Sequence, residues 1–186
     1  MELNNIFEKY INPVKHDSSK VDSEYCKNCG GKCCHAMGCH ISPFDFKEIT
    51  FQSIVNFIDE TECISIDWWN GNPITNDESE EKAFFLRIKN KDSKVIDPSY
   101  GGTCCILTDT GCPLSFEYRP KGARELIPHE SECVIKYSKQ QCAIDWYPYQ
   151  DILQQVHDYY YEKGEMTESN ISAVDCLLSL FGIPYE

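Results

Sequence analysis

Phe51, Ile54, Val55 and Ile58 recur at helical spacing, and they follow Ser42 and Pro43, a hydroxyl suited to a helix N-cap and an imino acid suited to the first turn. This pattern predicts a helix from Pro43 to Asp59. Near the other end, Tyr149, Ile152, Leu153, Val156 and Tyr160 share one face of a helix that Pro148 can start and Gly164 can stop. A last helix is predicted where Ile171, Val174, Leu177, Leu178 and Phe181 turn inward before Gly182. Between these stretches, AFFLRIK and KVIDP flank Asn90 to Ser93 and predict a short β-hairpin ending at Pro98. The segment DWWNGNPITNDESEEK, Asp67 to Lys82, holds Asn, Gly, Pro and a run of acids and reads as a loop or a pair of turns. There is no internal repeat and no low-complexity tract.

Length and charge narrow the picture. A chain of 186 residues with 41% hydrophobic content is enough for one domain with a sizeable core, so residues 1–186 are read as a single domain. A formal charge of −13 argues against a nucleic-acid backbone or an anionic membrane surface as partner. Trp68, Trp69, Trp146 and Tyr159 to Tyr161 are therefore read as packing groups, since a base-stacking platform needs a basic groove beside it. The opening MELNNIFEKYINPVKHD lacks a basic region followed by an apolar run, and no segment approaches the length of a membrane span. The expected compartment is the reducing cytoplasm. There, twelve cysteines point to metal or redox chemistry instead of a disulfide scaffold.

The cysteines are grouped. CKNCGGKCCHAMGCH carries Cys26, Cys29, Cys33, Cys34 and Cys39; GGTCCILTDTGC carries Cys104, Cys105 and Cys112; Cys133 and Cys142 form a looser third group. Cys26 and Cys29 have the C-x2-C separation that lets two thiolates of one turn meet the same metal, with glycines nearby to relieve the backbone. In the second group, Asp109 to Gly111 make a turn that can fold Cys112 back toward Cys104. Each group is half of a site that folding would close. Cys33 and Cys34 are neighbours and would point to opposite faces of an extended chain, so one packs or they serve different metal atoms. A polynuclear iron–sulfur cluster accommodates such crowding better than a single tetrahedral zinc, although spacing alone leaves both metals open. His35 and His40 flank the first group and are expected beside the metal, not on it. Cys63 and Cys176 lie among packing residues and are expected to be buried as small hydrophobes.

These residues resemble the YkgJ-like cysteine-cluster family, described as a zinc- or iron-chelating domain to which the flagellin lysine N-methylases are related. CKNCGGKCC, Cys26 to Cys34, is similar to that family's CxxCxxxCC, and GGTCCILTDTGCPLSFEYRPKGARELIP, Gly101 to Pro128, is similar to its Gly, Cys, apolar run, turn, Cys, RP, CR and Pro. The resemblance implies that metal ligands are drawn from Cys26, Cys29, Cys33, Cys34, Cys104 and Cys112, with Arg119 and Arg124 facing the cofactor. Those arginines could instead pair with Glu117 or Glu125. One departure matters: the cysteine expected before the second arginine is Ala123, so Cys105, Cys133 or, foremost, Cys142 is expected to supply the missing sulfur.

The reading that follows is an α+β domain, mainly helical, with cysteine-rich loops and a short β-hairpin organised around a metal centre. Its function is metal binding through an iron–sulfur centre, 4Fe–4S favoured and zinc the alternative, in a structural, redox or sensing role with a protein or redox partner. An S-adenosylmethionine-dependent lysine methylase and a zinc-stapled interaction module are the other classes. The first lacks a glycine-rich nucleotide turn after a strand. Catalysis stays open.

Overall fold

The computed structural model describes residues 3–15, 31–36, 38–99, 101–127 and 134–167. Its organising element is β3, Ala83–Ile88, which is buried at every position. A strand with no wet face needs cover on both sides and partners on both edges. β1, His40–Ile41, pairs with one edge and β2, Ile64–Trp69, with the other, both antiparallel, giving the order β1-β3-β2. The β2 register runs from Ile64 opposite Ile88 to Trp69 opposite Ala83.

Helices supply the cover. In chain order these are α1 (Leu3–Tyr10), α2 (Lys32–Ala36), α3 (Phe51–Thr61), α4 (Lys121–Arg124), α5 (Lys139–Trp146) and α6 (Gln150–Glu162). A two-stranded pair, β4 (Leu126–Ile127) with β5 (Val134–Ile135), lies apart from the main sheet. α5 and α6 pack on β3, while α1 packs on α3. Phe57 of α3 is the hub of that second contact, its ring lying 5.1 Å from Phe7, 5.4 Å from Tyr10 and 5.3 Å from Phe46. Trp146 is wholly buried and donates its indole N–H to the Ile41 carbonyl at 2.7 Å. Helices around an antiparallel sheet make the fold α+β.

Several expected elements are redrawn. Ser42 does cap Pro43, yet the first turn is a separate 3-10 helix, Pro43–Asp45, and α3 begins afresh at Phe51. The break follows from Thr50 and Ser53, which exchange side-chain-to-amide hydrogen bonds of 3.2 Å in a capping box of their own. The hairpin of AFFLRIK with KVIDP does not form, because β1 and β2 already hold both edges of β3. Val95 to Asp97 lie beside β2 instead, through Ile66 N–H to Val95 O at 2.7 Å and Asp97 N–H to Ile66 O at 3.0 Å. Asp67 to Trp69 are strand, so the loop starts later than its composition suggested. Pro148 sits in a 3-10 turn ahead of α6, and the helices α1 and α5 were not predicted. The helix expected from Ile171 to Phe181 lies outside the described residues.

One group holds charge inside this sheet. Arg87 is fully buried on β3, with its guanidinium 3.1 Å from Asp67 and 2.7 Å from Asp97, and it also donates to the Ile88 and Asp97 carbonyls at 3.1 Å. Lys139 reaches Asp67 from α5 at 3.1 Å. Burial would raise the Asp97 pKa, but hydrogen bonds from Ser93 and Ser99 and the Arg87 charge bring it below the usual carboxylate value. Removing the arginine would leave two carboxylates enclosed with only Lys139 to answer them. Arg87→Met is therefore expected to lose about 3–5 kcal/mol in chemical denaturation, and adding Asp97→Asn is expected to recover part of it. A loss below about 1 kcal/mol would show that the network is not what steadies the sheet.

A candidate cysteine centre at the end of the central strand

Beyond Ile88 the chain leaves the sheet, and its backbone groups still need partners. Cysteine-bearing segments provide them. Ile88 N–H donates to Cys39 O at 2.9 Å, and Lys89 N–H donates to Cys63 O at 2.7 Å. Lys89 O accepts from Cys105 N–H at 2.9 Å, and Lys91 N–H donates to Thr103 O at 2.7 Å. Asn90 is buried and works through its side chain, accepting from Gly38 N–H at 3.1 Å and donating to Gly101 O at 2.7 Å. The approach is tight enough to require glycine at 38, where a Cβ would lie 1.8 Å from the Ile88 carbonyl oxygen.

The two cysteine groups also touch each other. Cys34 on α2 accepts the Cys104 amide at 2.7 Å, and Ala36 accepts that of Gly102 at 2.9 Å. The turn expected at Asp109 to Gly111 is present, with Thr108 and Gly111 exchanging backbone hydrogen bonds of 3.1 and 3.0 Å, and it returns the chain to Cys112.

The described thiols fall into three places. Cys39 is acted on by the thiols of Cys112 and Cys34 and by Asp45; burial, then those charges, push its pKa well up. Cys63, also buried, hydrogen-bonds to Cys105 and feels the charge of Cys104. That contact raises the Cys63 pKa and lowers that of Cys105, which Lys89 and Arg87 lower further, so Cys105 is the stronger acid of the pair. Cys105 Sγ is also 3.8 Å from the Cys63 carbonyl oxygen, a weak contact beside the one between the thiols. Cys142 is elsewhere, fully buried on α5 and 3.4 Å from the Ile41 carbonyl; burial, then Asp145, Asp45 and Asp67, raise its pKa well above that of an ordinary thiol.

Of the expected ligands, then, Cys34 and Cys112 each lie near enough to Cys39 to act on its charge, Cys104 is tied to Cys34 through its backbone amide, and Cys142 lies in the core. Cys26, Cys29 and Cys133 are outside the described residues, as is the Cys33 side chain. Among the described residues, no three His, Cys, Asp or Glu side chains converge closely enough to hold a metal ion. Cys39, which is not in the expected ligand set, is the described thiol on which both of them act.

Among the described residues neither arginine forms an ion pair with Glu117 or Glu125. Arg124 pairs with buried Asp45 at 2.7 Å and also donates to the Arg119 carbonyl, while Arg119 donates to Leu114 O at 3.0 Å. The other Asp45 oxygen accepts the amides of Ser42 and Lys121, each at 2.9 Å. α4 is thereby fixed against the turn after β1. The fit is again glycine-dependent, since a Cβ at Gly122 would lie 2.7 Å from His40 O and 2.8 Å from His40 N.

The cleft of about 290 Å³ lined by Trp68, Trp69, Asn70, Asn76, Glu78 and Lys139 contains no cysteine. Among the described residues no helix is long and apolar enough to cross a membrane. No family model, curated protein or solved structure matches the chain.

His40 is 7% exposed, and its Nε2 is the only fully buried side-chain nitrogen or oxygen without a hydrogen-bond partner among the described residues. Burial lowers its pKa from 6.5 to about 4; Asp67 and the Tyr137 backbone oppose this, while Lys139 and Arg87 reinforce it. The unfolded chain thus takes up a proton near pH 6.5 that the folded chain refuses until about pH 4. Stability from this group is whole above the first value and lost as pH falls to the second, by roughly 3 kcal/mol. His40→Phe, which keeps a ring against Phe85, is expected to flatten that part of the melting temperature–pH curve. Identical acid slopes for the two proteins would contradict it.

Proposed function

We propose that this is a metal-binding cysteine-cluster protein of the kind its motifs resemble. Its centre is an iron–sulfur cluster, 4Fe–4S favoured, serving a structural, redox or sensing role. Ligands come from the CxxCxxxCC run, Cys26 to Cys34, and from Cys104 and Cys112. The observation that carries this reading is the meeting of two cysteine groups remote in sequence: Cys34 O on Cys104 N–H at 2.7 Å, with Cys34 and Cys112 both acting on Cys39.

The donor chemistry fits such a group. Clustered thiols are soft ligands, and each discourages ionisation of the next until a cation is present to deprotonate them. When bound, a cluster supplies a one-electron couple and a cross-link between distant parts of the chain. The protein's own part is to present sulfur from segments held by β3 and to keep Asp45 neutralised by Arg124 nearby. Cys142 is left out of the set because its thiol is engaged with the Ile41 carbonyl in the core.

Full-length protein isolated without oxygen is expected to be brown, with iron and acid-labile sulfide in comparable amounts and broad sulfur-to-iron absorption in the visible. Colourless, folded protein with stoichiometric zinc and no sulfide would replace this reading with the zinc-stapled module. Folded protein that takes up neither metal would overturn both.

A further inference from the structure

We propose that the cleft between the end of β2, the turns that follow it and α5 binds a neutral sugar as a single pyranose ring, with Trp69 as its platform. The cleft contains no cysteine, so this site stands apart from the metal centre proposed above.

Of the three tryptophans, Trp146 is the packing group expected, wholly buried with its indole N–H on the Ile41 carbonyl at 2.7 Å. Trp68 and Trp69 end β2 half-buried and line the cleft of about 290 Å³ with Asn70, Asn76, Glu78 and Lys139. That volume is at the small end of ligand pockets and suits one ring, not a chain of them. The Trp68 ring is already engaged, with Lys82 Nζ 4.1 Å from its centroid and Phe84 meeting it edge-on at 6.3 Å. Among the described residues Trp69 has no ring or cation against it, and neither indole N–H nor the side chains of Asn70 and Glu78 have a hydrogen-bond partner. A large apolar face thus lies beside uncommitted donors and acceptors.

The walls are set in place by bonds of their own. Asn72, 8% exposed, accepts the Ile74 and Thr75 amides at 2.8 and 3.2 Å and donates to Glu80 and Tyr147 at 3.0 and 3.1 Å. Gln140 of α5 ties the same turn down, donating to Pro73 O at 2.9 Å and to Asn76 Oδ1 at 2.8 Å. Lys139 beside it is held by Asp67 at 3.1 Å. Groups placed in this way lose little freedom when a ligand arrives.

Chemistry selects the ligand. Lys139 disfavours a cation and Glu78 an anion, so the cleft favours a molecule without charge. The chain's formal charge of −13 further disfavours phosphate-bearing ligands. Indole N–H groups, amide N–H groups and the Lys139 ammonium donate, while the Asn70 carbonyl and the Glu78 carboxylate accept. Hydroxyl groups, each donor and acceptor at once, use both kinds of partner. The negative face of an indole attracts the slightly positive C–H groups on one side of a saturated ring. A pyranose presents that apolar side and a rim of hydroxyls together.

The test is titration of nitrogen-15-labelled full-length protein with glucose, galactose and N-acetylglucosamine, reading the three indole N–H signals by NMR, with glycine betaine and inorganic phosphate as charged comparators. At least one sugar is expected to shift the Trp68 and Trp69 signals saturably, at about millimolar strength, and to leave Trp146 unmoved. Trp69→Ala should weaken that binding roughly tenfold or more. Glu78→Gln, at an exposed position, should weaken it less but measurably, and it carries the test if Trp69→Ala does not fold. No saturable shift with any of the three sugars, unchanged affinity in the folded variants, or a matching shift of Trp146 would overturn the proposal. Saturation by betaine or phosphate without a sugar would overturn it in favour of a charged ligand. None of these outcomes depends on the metal content of the protein, so the proposed function stands or falls separately.

Discussion

The end of β3 is where the backbone's need for hydrogen bonds becomes an arrangement of sulfur. β1 and β2 occupy both edges of the strand up to Ile88, and what lies beyond must find partners from loops or remain unsatisfied in a buried place. Ile88, Lys89 and Lys91 find them in Cys39, Cys63, Cys105 and Thr103, and Asn90 adds side-chain bonds to Gly38 and Gly101. Cysteines from three remote stretches are thus located by main-chain bonds that do not depend on their side chains.

The charges around this point are arranged unevenly. On one side the hydrogen bond with Cys63, then Lys89 and Arg87, lower the pKa of Cys105, while the same contact raises that of Cys63. On the other, burial first and then Cys112, Cys34 and Asp45 hold Cys39 as a neutral thiol. The second environment resists a lone thiolate and would accept one readily if a cation were shared among several sulfurs. Arg124 moderates the Asp45 charge without reaching past it, and the same carboxylate fastens α4 through the Lys121 amide. Arg124 and Asp45 thus help hold α4 against the turn after β1.

Much of this was legible in the chain. Ser42 as N-cap, the apolar face of Phe51 to Ile58, and the turn before Cys112 each depend on neighbours within a few residues, and each is present. The failures have a common cause in long-range pairing. AFFLRIK and KVIDP satisfy the local rule for a hairpin, but β2 and β1 reach the edges of AFFLRI first, and nothing local in Ile64 to Trp69 announced that pairing. α5 was hidden because KQQCAIDW places only Cys142, Ala143 and Trp146 inward, too few for a periodic signal. In the site, the grouping of cysteines was plain, yet spacing could not tell which thiols the fold would separate: α5 turns Cys142 toward the Ile41 carbonyl, while β3 fixes the backbone of Cys39 through the Ile88 amide.

Amide hydrogen exchange at Ile88, Lys89 and Cys104, followed in anaerobically loaded and in chelator-stripped protein, tests the central claim most directly, because these three N–H groups bind Cys39, Cys63 and Cys34. If a centre is assembled on the end of β3, loading should slow their exchange together, by roughly tenfold or more, while amides of α6 change no more than the global stability requires. Equal exchange at all three amides with and without metal, in protein whose metal content does differ, would contradict the account and place the metal away from this strand end.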